Sequence, residues 1–133
     1  MYNIKDENFT NSSLYKNFIK NNPSSGGLRV RAYAASEAIP ISGLKVVVST
    51  NIENNDVVFF EGYTNESGIT DKIILPTPKL DTDNLIVPNT TTYTITTTYI
   101  PNNKIQVYQV SMYENVCVIQ NVSIVPDMIR GDF

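Results

Sequence analysis

From Leu28 onward the apolar residues of this chain recur at every second position, which commits it to extended strands buried on one face. In Leu28-Arg29-Val30-Arg31-Ala32-Tyr33-Ala34, one face carries Leu28, Val30, Ala32 and Ala34, and the other carries Arg29, Arg31 and Tyr33. The stretch from Ile39 to Thr70 continues the pattern. A turn, Ile39-Pro40-Ile41-Ser42-Gly43, opens the apolar strand Leu44-Lys45-Val46-Val47-Val48. A second β-rich run, Val57-Val58-Phe59-Phe60, leads into the polar turn Thr64-Asn65-Glu66-Ser67-Gly68-Ile69-Thr70. Further strands are predicted near 44–50, 56–64, 70–75, 92–99, 104–112 and 116–125. Short strands joined by Gly, Pro, Asn and Asp point to an antiparallel sandwich rather than to βαβ units.

The length, 133 residues, suits one domain able to bury roughly two-thirds of its unfolded surface. The predicted sandwich occupies 27–126, preceded by an arm at 1–26 and followed by a tail at 127–133. The arm is rich in Asn, Ser and charge, and Asn21-Asn22-Pro23-Ser24-Ser25-Gly26-Gly27 reads as a linker. Within it, Ser12 or Ser13 can cap a short helix carrying Leu14, Tyr15, Phe18 and Ile19 on one face. Such a helix is too short to persist alone, so the arm either docks, pairs with a partner or stays mobile. Met1–Asn8 lacks the basic start and apolar stretch of a secretory signal, so none is expected.

The threonine-rich run 90–99 has a strand explanation, because a β-branched side chain fits a pleated surface. Tyr93, Ile95, Thr97 and Tyr99 are predicted to face one side, with Thr92, Thr94, Thr96 and Thr98 as a solvated hydroxyl row on the other. The connection 76–89, with three prolines, is the first place to look for a binding surface.

Most chemical classes are excluded by composition. Net charge is −3 and the cations are scattered, so Arg29 and Arg31 read as a solvated strand face and nucleic acid is not an expected partner. No apolar run is long enough for membrane insertion. The chain has no histidine, which removes Ser-His-Asp and Cys-His catalysis and imidazole metal sites. The single cysteine, Cys117, cannot form an internal disulfide and reads as a small buried hydrophobe within Val116-Cys117-Val118-Ile119. The carboxylates Glu61 and Glu66, or Asp81 and Asp83, lie at turns or strand ends rather than across a cleft, so hydrolase activity is not expected. Asp81-Thr82-Asp83-Asn84 spaces oxygen ligands like a calcium loop, but lacks the glycine and distal glutamate of an EF-hand. An isopeptide bond would need Lys45, Asn121 and Glu61 or Glu114 to meet in a dry core, yet the position of Lys45 between Leu44 and Val46 turns it to solvent. Arg130-Gly131-Asp132 is read as a chance tripeptide. No catalytic, cofactor or metal residue is therefore assigned.

The segments Gly27–Ala32, Ile39–Val48, Thr64–Gly68, Tyr93–Ile95 with Pro101-Asn102, and Val122–Pro126 together resemble a carboxypeptidase-regulatory-like domain. The likeness spans about residues 27–126 and departs at Leu44, Asn65 and Asn103. It implies a seven-stranded transthyretin-like sandwich, similar to the non-catalytic β-domain of bacterial spore cortex-lytic enzymes and peptidoglycan-binding proteins. The implied role is an accessory or interaction domain of the spore or cell envelope, with a protein or cell-wall glycan as partner. The alternative expectation is a structural subunit of a bacterial surface or phage-type assembly joined by edge strands and the arm. Self-association through exposed strand edges is expected in either case.

Overall fold

The computed structural model describes residues 1–34, 38–80 and 89–125. Two sheets pack face to face as an all-β sandwich. The elements in chain order are β1 (Tyr2–Asn3), α1 (Glu7–Thr10), α2 (Ser13–Asn21), β2 (Ser24–Ala34), β3 (Ile39–Pro40), β4 (Lys45–Ile52), β5 (Asn55–Tyr63), β6 (Ile73–Thr77), β7 (Thr91–Tyr99), β8 (Lys104–Met112) and β9 (Cys117–Ser123). A 3₁₀ turn, Ile100–Asn102, joins β7 to β8. The first sheet runs β1-β5-β4-β7-β8. In the second, β9 pairs in parallel with one edge of β2, while β6 and β3 share its other edge.

Period-two alternation becomes the core as expected. Leu28, Val30, Ala32 and Ala34 of β2 are buried, as are Val46 and Val48 of β4 and Tyr93 and Ile95 of β7. Thr97 joins this inner face and is 1% exposed, while Thr92, Thr94, Thr96 and Thr98 point outward. The β4–β5 hairpin closes through Glu53-Asn54, both at positive φ, the conformation a two-residue type I′ turn requires. A register shift between Val48 and Ser49 leaves Phe59 without an opposing residue, and its ring enters the core beside Tyr93.

The turn that marked the sequence ties β2 to the rest of the second sheet. The Asn65 carboxamide oxygen accepts from Ser67 N–H and Ile69 N–H at 2.9 and 3.2 Å. Gly68 sits at φ +76°, and a Cβ there would lie 2.5 Å from the Ala32 carbonyl oxygen. That approach lets Ala32 N–H donate to the Gly68 carbonyl at 2.7 Å, and Val30 N–H donates to the Thr70 hydroxyl at 3.0 Å. Thr64 does the same for β4: its hydroxyl accepts from Leu44 N–H and donates to the Ile41 carbonyl.

The arm docks. Ser12 is the N-cap of α2, accepting from Tyr15 N–H, and Asp6 caps α1. Phe9 is buried, and stacked, edge-on and tilted rings run from Tyr2 through Phe9 and Tyr15 to Phe59, which Phe18 also meets. Aromatic contacts of this kind add about 0.5–1.5 kcal/mol each beyond area burial, which compensates for the weak intrinsic stability of so short a helix. Asn22 then fastens the end of α2, donating to the Phe18 carbonyl and accepting from the Thr91 hydroxyl. The run Ser24–Gly27, which reads as linker in the sequence, is instead the first part of β2 and pairs with Ile74–Thr77. Its small residues are there because other backbone approaches them: a Cβ on Gly26 would lie 2.4 Å from the Tyr113 carbonyl oxygen. No helix among the described residues is long and apolar enough to cross a membrane.

Two substitutions test the alternation in β7. Ile95→Ala should cost about 2–5 kcal/mol in denaturant unfolding, whereas Thr94→Ala, one residue away on the outer face, should cost under about 1 kcal/mol. The Thr77 hydroxyl is buried without a hydrogen-bond partner. Thr77→Val should therefore raise stability by about 1 kcal/mol, because it removes an uncompensated polar group at nearly constant shape.

Candidate functional site

The outer face of the second sheet carries a groove whose floor is a missing side chain. β9, β2 and β6 set Cys117, Gly27 and Ile74 in one cross-strand row, and Ile119 beside Arg29 in the next. Gly27 leaves the middle of the first row empty. Lys72, just before β6, reaches across the gap: a Cβ on Gly27 would lie 2.6 Å from the Lys72 Cε and 3.4 Å from the Cys117 Sγ. The resulting groove holds about 330 Å³ between Arg29, Lys72, Cys117 and Ile119. It continues past Cys117 into a hollow of about 200 Å³ reaching Ile74, Asn115 and Val116.

Its chemistry is mixed. Ile74, Ile119 and Val116 are 59%, 57% and 40% exposed, which gives apolar walls open to water. Arg29 and Lys72 are exposed cations, and neither has an ion-pair partner among the described residues. Arg31 lies on the same face, its guanidinium 5.3 Å from the centre of the Tyr33 ring.

The far end of the groove is held by the β8–β9 turn. Asn115 N–H donates to the Ser25 carbonyl at 2.9 Å, and Gly27 N–H donates to the Val116 carbonyl at 3.0 Å. Glu114 clamps the turn from the other side. One carboxylate oxygen accepts from the Ser24 hydroxyl at 3.0 Å and the other from Leu80 N–H at 2.7 Å. The Leu80 bond, then the Ser24 bond, holds this carboxyl below its ordinary value of 4.5. On the inner side, burial keeps the Tyr93 phenol protonated far above its usual range, and its hydroxyl donates to the Pro76 carbonyl.

Several expectations change here. Cys117 is exposed, not buried. Val122 and Ile124 are the buried members of this segment, so the odd-numbered positions Cys117, Ile119, Asn121 and Ser123 face outward. An unbroken apolar run such as Val116–Ile119 hides that parity, although the polar Asn121 and Ser123 already carried it. Lys45 does point outward, 3.4 Å from Glu61, while Asn121 lies on the other sheet, so the residues of an isopeptide bond are not brought together. Glu66 is in the Asn65–Gly68 turn, and neither Glu61 nor Glu66 lines the groove. Asp81, Asp83 and Arg130-Gly131-Asp132 lie outside the described residues, as does most of the 76–89 connection. The groove itself was missed because Gly27 was read as a linker residue.

No protein-family profile matches the chain, and no curated protein sequence matches it. Solved structures do. The 5-hydroxyisourate hydrolase of Klebsiella pneumoniae is 13% identical over 76% of this chain and 85% of its own, with a TM-score of 0.48. An (S)-allantoin synthase is 10% identical over 84% of this chain and 44% of its own, with a TM-score of 0.52. The fold is transthyretin-like, and at these identities the likeness extends to the fold alone. The expected spore or cell-envelope accessory role, with its surface-assembly alternative, is corrected: the solved structure that shares this fold at a TM-score of 0.52 is named as a synthase, not as a spore or envelope protein.

The Glu114 clamp has a definite pH dependence. Its carboxyl titrates lower in the folded protein than when unfolded, so its contribution to stability is complete above the unfolded carboxylate value and is lost as pH falls through the folded value. Glu114→Gln should therefore be less stable than wild type at pH 7, with the gap closing in acid. Urea midpoints measured at pH 7 and pH 3 check this; an equal gap at both would remove the carboxylate from the account.

Proposed function

We propose that the protein is a ligand-binding sandwich whose groove takes a small anionic amphiphile, a carboxylate or phosphate head on a short apolar body. The observation that carries this reading is the pairing of two cations that have no ion-pair partner among the described residues, Arg29 and Lys72, with exposed Ile119 and Ile74 around a glycine floor. A cation on open β-sheet prefers water or a carboxylate, and exposed isoleucines prefer neither. One ligand with a charged head and an apolar tail satisfies both. The volume of about 330 Å³ is at the lower end for small-molecule sites and suits a body of a few carbons. The role proposed is binding rather than catalysis: the chain has no histidine to serve as a base beside Cys117.

Octanoate is a suitable probe, with octyl glucoside supplying the tail without the charge and inorganic phosphate the charge without the tail. Titration followed by amide chemical shifts should move Gly27, Arg29, Lys72 and Ile119 with octanoate and weaken as salt rises. Arg29→Gln with Lys72→Gln should lower octanoate affinity roughly tenfold or more, the scale of losing one charge-assisted hydrogen bond. Gly27→Val should abolish binding while keeping the fold, since it fills the floor and pushes only the flexible Lys72 stem. Equal binding of octyl glucoside, or shifts confined to another face, would overturn the reading.

A further inference from the structure

We propose that the groove is the head end of a longer trough, and that its occupant is a free single-chain acyl carboxylate whose tail ends against the docked arm. The inference rests on the anionic-amphiphile reading and extends it in length. β2 supplies the floor. Going back along its outer face from Arg29, the next two positions are Gly27 and Ser25, both small. Cys117 and Val116 line one side, while Ile74 and Pro76, the cross-strand partners of Gly27 and Ser25, line the other. Beyond Ser25 lies a further hollow of about 300 Å³, between β6 and α2. It shares Ser25 and Ile74 with the hollow around Val116, which in turn shares Gly27, Lys72 and Cys117 with the groove. The three spaces therefore adjoin along one strand.

The two ends differ in chemistry, which orients the occupant. Arg29 and Lys72 stand at the first. No residue lining the last is charged. Asn22 reaches it, but its carboxamide is already engaged by the Phe18 carbonyl and the Thr91 hydroxyl. Leu14, Tyr15 and Phe18 of α2 pack against the core, while Ile19, one position on, is half-buried at the wall of the hollow. An alkyl tail laid against Ile19 and Ile74 removes apolar surface from water on both partners. From Arg29 to Ser24 the strand rises about 16 Å before the hollow adds its own depth, more than extended octanoate spans. The floor is one strand wide between its walls, which admits a single chain and not the paired chains of a phospholipid.

Titrations of the full chain below micellar concentration, comparing dodecanoate with octanoate, test this. Each newly buried methylene strengthens binding up to about fourfold, so dodecanoate should bind at least about tenfold tighter. It should move the amides of Ile4, Ile19 and Ser25 together with those of Gly27 and Arg29, whereas octanoate should leave Ile4 and Ile19 unmoved. Ile19→Gln should cut the dodecanoate advantage at least about threefold, with octanoate affinity and the thermal midpoint unchanged. Equal affinity for the two acids, arm amides unmoved by dodecanoate, or an Ile19→Gln protein that keeps the full advantage would each overturn the trough and leave the shorter-ligand reading standing. So would tighter binding to phosphatidylglycerol vesicles than to the free acid, which would make the occupant a membrane surface. Failure of both acids to move Gly27 and Arg29 would instead overturn the two readings together.

Discussion

β2 is the strand through which the second sheet exists. β9 hydrogen-bonds along one of its edges, and β6, Ile69 and β3 divide the other. Its inner positions, Leu28, Val30, Ala32 and Ala34, are core, and its outer positions Gly27 and Arg29 are the floor and charge of the groove. A single strand can serve four neighbours and two faces only because its side-chain period is two and its first residues are small. The Asn65–Thr70 turn secures it, satisfying the backbone of Val30 and Ala32 where no full strand lies alongside. The cost of leaving those buried groups unpaired is what makes the Gly68 position so demanding.

The same economy explains the arm. A nine-residue helix has little stability of its own, and α2 has no fully buried residue. It holds its place through aromatic contacts to Phe59, itself turned inward by the bulge opposite Val48, and through the Asn22 fastening to Thr91. Arm, bulge and β7 therefore form one cooperative unit, with Tyr93 at its centre.

Much of this was legible in advance and some was not, for identifiable reasons. Strands β4, β5, β7 and β8 fall where alternation and turn residues place them, and the split of the threonine run into a buried and a solvated face follows from period two alone. The outward turn of Lys45 was legible too. Cys117 was not, because a continuous apolar run carries no parity. Gly27 was misread because glycine signals both a flexible linker and a close approach of other atoms, and only the neighbours decide which. Glu114 meets Ser24 and Leu80 across separations of 90 and 34 residues, which no local pattern encodes.

The chain by itself determined its fold class, since apolar residues at every second position between turn signals can bury their surface only as packed sheets. It also excluded histidine chemistry outright, whatever the fold. Tertiary structure alone decided what the outer face of the second sheet offers: an empty place over Gly27 flanked by Arg29 and Lys72. That depends on which strands become neighbours, and the choice is set by long-range pairing that period two permits but does not specify.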